Sequence, residues 1–310
     1  MSDFRSLADE IKREVPGVRV LLDEPMREHT SFRIGGRVPV MFIPEGADAL
    51  CALCEALSKK SVRPFVMGNG TNLLVEDAEL DFPVIKTVSG NERAALTGDT
   101  AITAPGGMLL SRLAVFAMQN ALTGLEFAHG IPGSLGGAVS MDAGAYGGEM
   151  KDVVTKTRAF SFSRGEYAVT GDEHDFSYRH SVFSDADSVI ISSELSLLPG
   201  ETDAIRARMD DLSARRRKSQ PLDMPSAGSA FKRPVGGYAA ALIDGAGLKG
   251  FTVGGAQVSE KHAGFVVNAG GASFDDVLRL LDAVRERVLQ TSGIELEPEI
   301  RIIRRGITAK

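Results

Sequence analysis

Apolar residues recur along the chain at two spacings, one typical of helices and one typical of short strands. Helical spacing predicts helices at residues 48–60, 108–120, 201–218 and 273–291. Short apolar runs predict strands at residues 63–67, 84–86, 101–103, 155–163, 189–191 and 294–303. Ser273 and Asp276 form a capping-box pattern at the start of the last helix, and Gly293 predicts its end. The mixture indicates an α+β protein, with the main domain boundary near residue 200.

Length and charge restrict the possible partners. The 310 residues are enough for about two domains. The net charge of −6 argues against nucleic acid and polybasic membrane binding, but leaves small anionic ligands open. Because no apolar stretch approaches the ~18 residues of a membrane span and no signal-peptide core is present, we expect a cytoplasmic protein. The oligomeric state is open, with a monomer favoured.

Two cysteines, Cys51 and Cys54, form a lone CxxC pattern within the first predicted helix. Their helical spacing favours buried structural thiols. Redox or metal chemistry is the alternative, but no second pair or nearby histidine completes a zinc site. We therefore expect no metal.

Glycine is concentrated in two parts of the chain. Eight of the 34 glycines lie within residues 124–148, and a second cluster, Gly-Asn-Gly-Thr-Asn, occupies residues 68–72 after a predicted strand. Such density costs folding entropy and supplies no packing surface, so it favours close approach of backbone to a flat or phosphorylated ligand. Plain turns are the alternative. The second cluster is not a GxGxxG fingerprint, because Leu73 stands where the last glycine is needed.

Seven short motifs in a fixed order resemble those of a known enzyme family. They are HTSFRIGG (29–36), GNGTNLLV (68–75), FAHGIPGSLGGA (127–138), MDAGAYGGE (141–149), YRHSVF (178–183), PSAGSAFK (225–232) and LEPEIR (296–301). Together they resemble the UDP-N-acetylenolpyruvoylglucosamine reductases of bacterial peptidoglycan synthesis, in the shorter subtype of that family. The resemblance covers nearly the whole chain.

The resemblance implies a two-lobed FAD-binding domain of the PCMH type at residues 1–200, with lobes of about 1–85 and 86–200. A smaller α+β substrate-binding domain would follow at 201–295, and a strand and tail at 296–310 would carry a catalytic glutamate. The implied reaction reduces an enolpyruvyl ether of UDP-N-acetylglucosamine to UDP-N-acetylmuramate, with FAD as cofactor and NADPH as electron source. Hydride would reach C3 of the enol ether, and an acid must then protonate C2.

Matched motif by motif, three residues would carry the chemistry. Ser229 would donate the proton to C2, and Arg179 would stabilise the developing enolate through its charged fork. Glu299 would share that task if it is protonated or if it orients another donor. The residues implied on the substrate side are Tyr178, Lys232, Arg233 and His262, although His262 is nearly as well explained as a structural histidine.

The glycine-rich motifs imply the cofactor site. The implied FAD-binding residues are Arg33, Gly68, Asn69, Gly70, Thr71, Asn72, Gly130, Ile131, Pro132, Gly133, Ser134, Gly136, Gly137, Ala138, Gly144, Ala145, Tyr146 and Gly147. The basic run at residues 215–218 is interpreted as a solvated helix end in preference to a diphosphate clamp.

Three positions depart from the family pattern, and two other functions remain open. Asp142 stands where asparagine is usual, Arg233 also replaces an asparagine, and Arg304 stands where glycine is common. One alternative is a flavin oxidase on another substrate, with His129 as a covalent tether. The other is a nucleotide-binding module without catalysis.

Overall fold

A computed structural model describes residues 4–184 and 187–306, and within them seven α-helices accompany three main sheets. The helices are α1 (Phe4–Glu14), α2 (Ala47–Lys59), α3 (Leu110–Gln119), α4 (Leu135–Ser140), α5 (Thr202–Ser219), α6 (Ala239–Gly245) and α7 (Phe274–Ser292). Across the described ranges, no helix combines the length and apolar character needed to cross a membrane.

The first sheet occupies the N-terminal part of the chain. The strands of this region are β1 (Val18–Pro25), β2 (Arg37–Pro44), β3 (Phe65–Met67), β4 (Leu73–Val75) and β5 (Val84–Lys86). The sheet order is β1-β2-β5-β3, while β4 stands outside it. The apolar faces of α1 and α2 pack on one side, around Phe42, Leu53 and Ile85.

The second sheet has the order β12-β11-β13-β7-β6 and is antiparallel throughout. The strands of this region are β6 (Ala95–Leu96), β7 (Ala101–Pro105), β8 (Leu122–Thr123), β9 (Gly144–Ala145), β10 (Gly148–Glu149), β11 (Val154–Ser161), β12 (Gly165–Thr170), β13 (Ser188–Ser196) and β14 (Leu198–Pro199). Ile205 and Met209 of α5 belong to the same core as Leu113 of α3. Helix α5 therefore packs with the second sheet although it follows residue 200.

A third, smaller sheet forms after α5 and is covered by α7. Its order is β15-β18-β17-β16, from β15 (Ser226–Ser229), β16 (Thr252–Val253), β17 (Ala256–Val258) and β18 (Phe265–Asn268). Its core also takes in Phe32, Ile34 and Leu74 from the N-terminal part. The last strand, β19 (Arg301–Ile303), returns to pair in parallel with β4. The C-terminal region is therefore tied to the N-terminal part in two ways, through this shared core and through the pairing of β19 with β4.

The four predicted helices are confirmed within two residues at each end, and the capping box of Ser273 and Asp276 is present at α7. The predicted final strand over 294–303 is wrong in length. Only Arg301–Ile303 forms a strand, because Pro298 has no N–H to give to a ladder and its segment makes an isolated bridge to Phe231 instead. Residues 307–310 of the predicted tail lie outside the described residues.

Candidate active site

A cavity of about 250 Å³ lies between the first two sheets and is lined by both glycine clusters. Every residue of the 68–72 loop contributes to its wall, and so do Gly133, Ser134, Gly136, Gly137 and Ala138 around the start of α4. Phe183, Ser184 and Arg301, which the sequence did not indicate, complete parts of the lining. Both glycine clusters therefore contribute to one cavity, the second with both of its glycines and the first with three of its eight.

The loop glycines are required by close backbone packing. A Cβ on Gly70 would lie 2.1 Å from the carbonyl oxygen of His29, and the residue has a left-handed φ of +67°. A Cβ on Gly68 would lie 2.1 Å from Ser134 Oγ, which caps α4 by accepting from Gly137 N–H. These close contacts exclude a side chain at Gly68 and Gly70, so both positions line the cavity with main-chain atoms only.

Arg179 and Glu299 meet although they are far apart in sequence. Arg179 lies at the tip of the loop between β12 and β13, with a left-handed φ of +57°. Its Nε donates to Glu299 Oε1 at 2.6 Å, and the two side chains are only 22% and 10% exposed. The predicted pair of functional groups is therefore brought together as a charge-assisted hydrogen bond.

Burial governs the chemistry of Glu299. It raises the pKa of the Glu299 carboxyl above its ordinary value, and the Arg179 guanidinium and the more distant Lys232 oppose that shift. The backbone of Glu299 is held on two sides, by its N–H to Ala230 O at 2.9 Å and by Asn72 Nδ2 to its carbonyl oxygen at 3.2 Å. Asn72 thus links the glycine loop of the cavity to the backbone of the residue that carries this carboxyl group.

Ser229 ends β15 next to the same segment and is exposed. The following residue, Ala230, donates its N–H to Gly264 O at 2.8 Å and accepts from Glu299 N–H. A Cβ on Gly228 would lie 4.0 Å from the carbonyl oxygen of Thr71 in the cavity loop. The exposed hydroxyl is therefore carried between the Glu299 segment and the glycine loop.

Three of the four residues implied on the substrate side lie near β15 and the Glu299 segment. Tyr178 Oη accepts from Arg233 N–H at 3.0 Å, and the Arg233 guanidinium lies over the Tyr238 ring at 4.5 Å. Lys232 Nζ lies 2.6 Å from Glu297 Oε1 at an exposed position. The Arg179 guanidinium lies over the Tyr178 ring at 5.0 Å, and Lys232 is near enough to Glu299 to oppose the rise in its pKa, whereas Arg233 is linked to the pair through Tyr178.

His262, the fourth of these residues, is half-buried and has a structural bond. Its Nδ1 accepts from Gly264 N–H at 3.2 Å, and its ring meets Phe265 edge to face at 5.1 Å. Burial lowers the pKa of His262. One ring nitrogen is thus used within its own turn, and Nε2 is left as the atom that a ligand could contact.

Some residues of the implied cofactor set stand outside the cavity lining. These are Arg33, Gly130, Pro132, Gly144, Ala145, Tyr146 and Gly147. Pro132 supports the site indirectly, because its carbonyl oxygen accepts from Asn69 Nδ2 at 2.6 Å. Arg33 is exposed, with a left-handed φ of +56°.

Arg216, on α5, lies against two of these residues outside the cavity lining. Its guanidinium lies over the Tyr146 ring at 5.6 Å, and a Cβ on Gly130 would lie 2.8 Å from its Nε. Burial lowers its pKa, and a cation partly removed from water gains from an anionic ligand. Its neighbours Arg215 and Arg217 are exposed, as the solvated interpretation of the basic run predicted for all four residues. For Arg216 that interpretation is wrong, because this side chain is partly buried against Tyr146. The side of the helix on which Arg216 falls was the sequence signal that could have shown this.

Asp142 is 2% exposed, and its Oδ1 accepts from Lys151 N–H at 2.9 Å. Its Oδ2 is buried and is the one such side-chain atom without a partner in the described ranges. Burial raises the pKa of Asp142, which favours the neutral acid over a buried negative charge at this position. The other departure, Arg304, lies over the Phe274 ring at 5.3 Å.

His129 and the cysteines are placed away from the cavity. His129 borders a separate groove with Glu92 and Arg112, and its Nδ1 lies 3.3 Å from Ser213 Oγ. Cys54 is buried, and burial raises the pKa of Cys51 to about 11. Among the residues with described placement, no group of three or more His, Cys, Asp or Glu side chains is arranged for a metal. Neither a flavin tether at His129 nor thiol chemistry is favoured.

Comparison with known proteins agrees with this architecture. Residues 38–171 match the model of an FAD-binding domain family, and residues 220–303 match that of the UDP-N-acetylenolpyruvoylglucosamine reductase C-terminal domain. The reductase of Caldanaerobacter subterraneus is 44% identical over 96% of this chain and 98% of its own length. That of Alkaliphilus oremlandii is 45% identical over 94% and 96%.

A solved structure extends the comparison to the fold. The UDP-N-acetylenolpyruvylglucosamine reductase of Thermus caldophilus has a TM-score of 0.76 to this chain, at 32% identity. The match covers 92% of this chain and 98% of that protein. Sequence relatives and structure therefore agree over nearly the full length. The chain belongs to the UDP-N-acetylenolpyruvoylglucosamine reductase family.

Proposed function

We propose that this chain is an FAD-dependent, NADPH-oxidising reductase of UDP-N-acetyl-3-O-(1-carboxyvinyl)-glucosamine, acting in the cytoplasm in peptidoglycan synthesis. The product is UDP-N-acetylmuramate, and the pathway role connects the enzyme to cell shape and division. The observation that carries the proposal is the 2.6 Å bond between Arg179 and Glu299 beside the exposed Ser229 segment. Support comes from the backbone of Glu299 and from Gly228, which lie next to Asn72 and Thr71 of the cavity loop, so that a cation, a carboxyl group and a hydroxyl would be available beside it.

The cavity fits FAD in the character of its walls. Gly68 and Gly70 allow the loop to pack within van der Waals distance of Ser134 and His29, so that main-chain groups face the ligand. Gly133 and Gly137 add wall positions with no side chain in front of them. FAD bound there supplies hydride, taken from NADPH, to C3 of the enolpyruvyl group.

The rest of the reaction falls to side chains of this chain. Ser229 gives its hydroxyl proton to C2, so that the carbon–carbon double bond becomes saturated. Arg179 stabilises the negative charge that develops at C2 and on the attached carboxylate. Glu299 holds the guanidinium by its Nε, so that the terminal nitrogens would serve the substrate. Because burial favours its neutral form, Glu299 adds less repulsion to that charge than an exposed carboxylate would.

The three sheets support the domain division expected from the sequence. The FAD-binding part, residues 1–200, contains the two sheets that flank the cavity, and the part from 201–295 contains the third sheet. Helix α5 follows residue 200 but packs its apolar face on the core of the second sheet, so it is shared between the two parts. The tail at 296–310 delivers Glu299 and then pairs β19 with β4.

The direct test is spectroscopic and kinetic. Purified protein should carry the visible absorbance of a flavin and should oxidise NADPH rapidly only when the enolpyruvyl sugar nucleotide is present. Ser229→Ala should keep the flavin and lose most of the rate. Absence of flavin absorbance, or an unchanged rate for Ser229→Ala, would contradict the proposal.

A further inference from the structure

The loop between β12 and β13 closes on itself and presents Arg179 at its tip. At its base, Val182 N–H donates to His174 O at 2.8 Å. Nearer the tip, Ser177 and His180 exchange two backbone hydrogen bonds, at 3.1 and 2.9 Å. The position of Arg179 relative to Glu299 therefore depends on how the base of this small hairpin is held.

The base is clamped by the side chain of His174, which is fully buried. Its Nδ1 lies 2.9 Å from Gly171 O, and because a carbonyl oxygen only accepts, this nitrogen carries the proton. Its Nε2 lies 2.9 Å from Thr157 Oγ1 on β11, and that hydroxyl lies 3.1 Å from Ser193 Oγ on β13. Both ring nitrogens are thus committed, one to the loop and one to the second sheet.

Ring stacking fixes the orientation of the same imidazole. The His174 ring lies parallel to the Phe176 ring at 4.8 Å with an interplanar angle of 6°, and it meets Phe183 at 6.2 Å. Phe176 precedes the tip by three residues, so the stack acts on the ascending arm of the hairpin. A buried polar side chain with complete hydrogen bonds of this kind specifies one arrangement of its surroundings.

The descending arm is attached to the cavity wall. Ser181 Oγ and Ser184 Oγ both donate to Ser140 O, at 2.8 and 2.6 Å. Ser140 ends α4 and lines the cavity together with Phe183 and Ser184. Between the sheet anchor at His174 and this wall anchor, the hairpin has little freedom to move its tip.

We propose that His174 is a positioning residue that holds the Arg179 guanidinium at Glu299, acting through the clamped base of the hairpin. This inference rests on the proposed function only in the role it gives to Arg179. His174 does not line the cavity and so acts without touching cofactor. Misplacing a catalytic charge by about 1 Å costs on the order of 100-fold in rate, which sets the scale of the effect.

His174→Phe is the informative variant, since it retains an aromatic ring for stacking and loses both hydrogen bonds. We expect kcat to fall by roughly ten- to a hundred-fold, with little change in KM or flavin content. In an Arg179→Ala background the same change should alter kcat less than two-fold, because no guanidinium is left to position. Thr157→Val removes one hydrogen-bond partner of His174 and tests the same role if His174→Phe folds poorly. It should also lower kcat in the wild-type background and alter it less than two-fold in the Arg179→Ala background.

The matched control is His180→Gln, a substitution of a half-exposed histidine in the same hairpin, which should leave kcat unchanged. Equal losses of kcat in the wild-type and Arg179→Ala backgrounds would overturn the positioning role, because they would show a general structural effect. So would wild-type kcat for both His174→Phe and Thr157→Val. An Arg179→Ala enzyme with full kcat would contradict the proposed function itself.

Discussion

Replacing Glu299 by alanine tests whether catalysis depends on the hold that this carboxyl group has on Arg179. The change removes the acceptor that lies 2.6 Å from Arg179 Nε, at a site where the two side chains are only 22% and 10% exposed. Weak solvent screening makes a net value of about 1.5–3 kcal/mol appropriate for a hydrogen bond to a charged group. At about 1.36 kcal/mol for each factor of ten, this predicts a loss of roughly 10- to 150-fold in kcat.

The substitution Glu299→Gln separates orientation from charge. It keeps an oxygen that can accept from Arg179 but cannot ionise. Because the guanidinium keeps its charge, the bond remains charge-assisted, so we expect a loss of about five-fold in kcat, intermediate between wild type and Glu299→Ala. The assay is steady-state oxidation of NADPH with saturating enolpyruvyl sugar nucleotide, followed at the absorbance of NADPH.

Two controls make the outcome interpretable. Glu295→Ala removes a carboxylate of the same segment that is 73% exposed, and it should change kcat less than two-fold. Flavin absorbance per chain should be the same in every variant, because Glu299 is not part of the cavity lining. Wild-type kcat in Glu299→Ala, together with a large loss in Arg179→Ala, would refute the view that Glu299 positions the guanidinium.

Three further substitutions test the cavity and its surroundings. Gly70→Ala should lose flavin and melt at lower temperature, because its Cβ would meet a carbonyl oxygen at 2.1 Å. The control is Gly165→Ala, which has a similar φ and open space around it and should lower only the melting temperature. Arg216→Met should raise the dissociation constant of FAD by about ten-fold, as expected for loss of about 1.4 kcal/mol from one charged contact, and Arg215→Met should not, by equilibrium titration of the apoprotein. Asp142→Asn should stabilise the fold by an amount that grows as pH rises above 3.8, because burial raises the pKa of the acid and its ionisation then costs folding energy. The measurement is urea unfolding of both proteins from pH 4 to 8. A constant difference between their free energies of unfolding over that range would contradict the prediction.

Local sequence predicted the elements whose ends are set by local chemistry. Helix α7 begins at the Ser273 capping box and ends at Gly293, which has a left-handed φ of +71°. Strands β1 and β2 were not predicted, although they pair over seven register positions. The exposed and buried positions of β1 do not alternate cleanly, so its period of two is weak and the strand is defined by its partner.

The cavity proposed to hold the cofactor could be located from glycine density because the physical requirement is itself local. A backbone that packs within van der Waals contact of another backbone needs glycine at that position, as Gly70 shows against His29. The identities of Phe183 and Arg301 as wall residues could not be obtained this way. They reach the cavity through the hairpin and through the pairing of β19 with β4, which are long-range contacts.

The proposed catalytic pair shows why residue types alone were insufficient without the family resemblance. Arg179 and Glu299 are separated by 120 positions, and each has an ordinary composition around it. Their meeting requires the left-handed backbone of Arg179 at a hairpin tip, the clamp at His174 and the bridge between the Glu299 segment and Ala230. Each of these supports is a tertiary contact whose energy is realised only in the folded chain. The proposed catalytic residues are therefore positioned in part by His174, which lies outside every matched motif, and substitution of that side chain is the most direct way to separate positioning from chemistry.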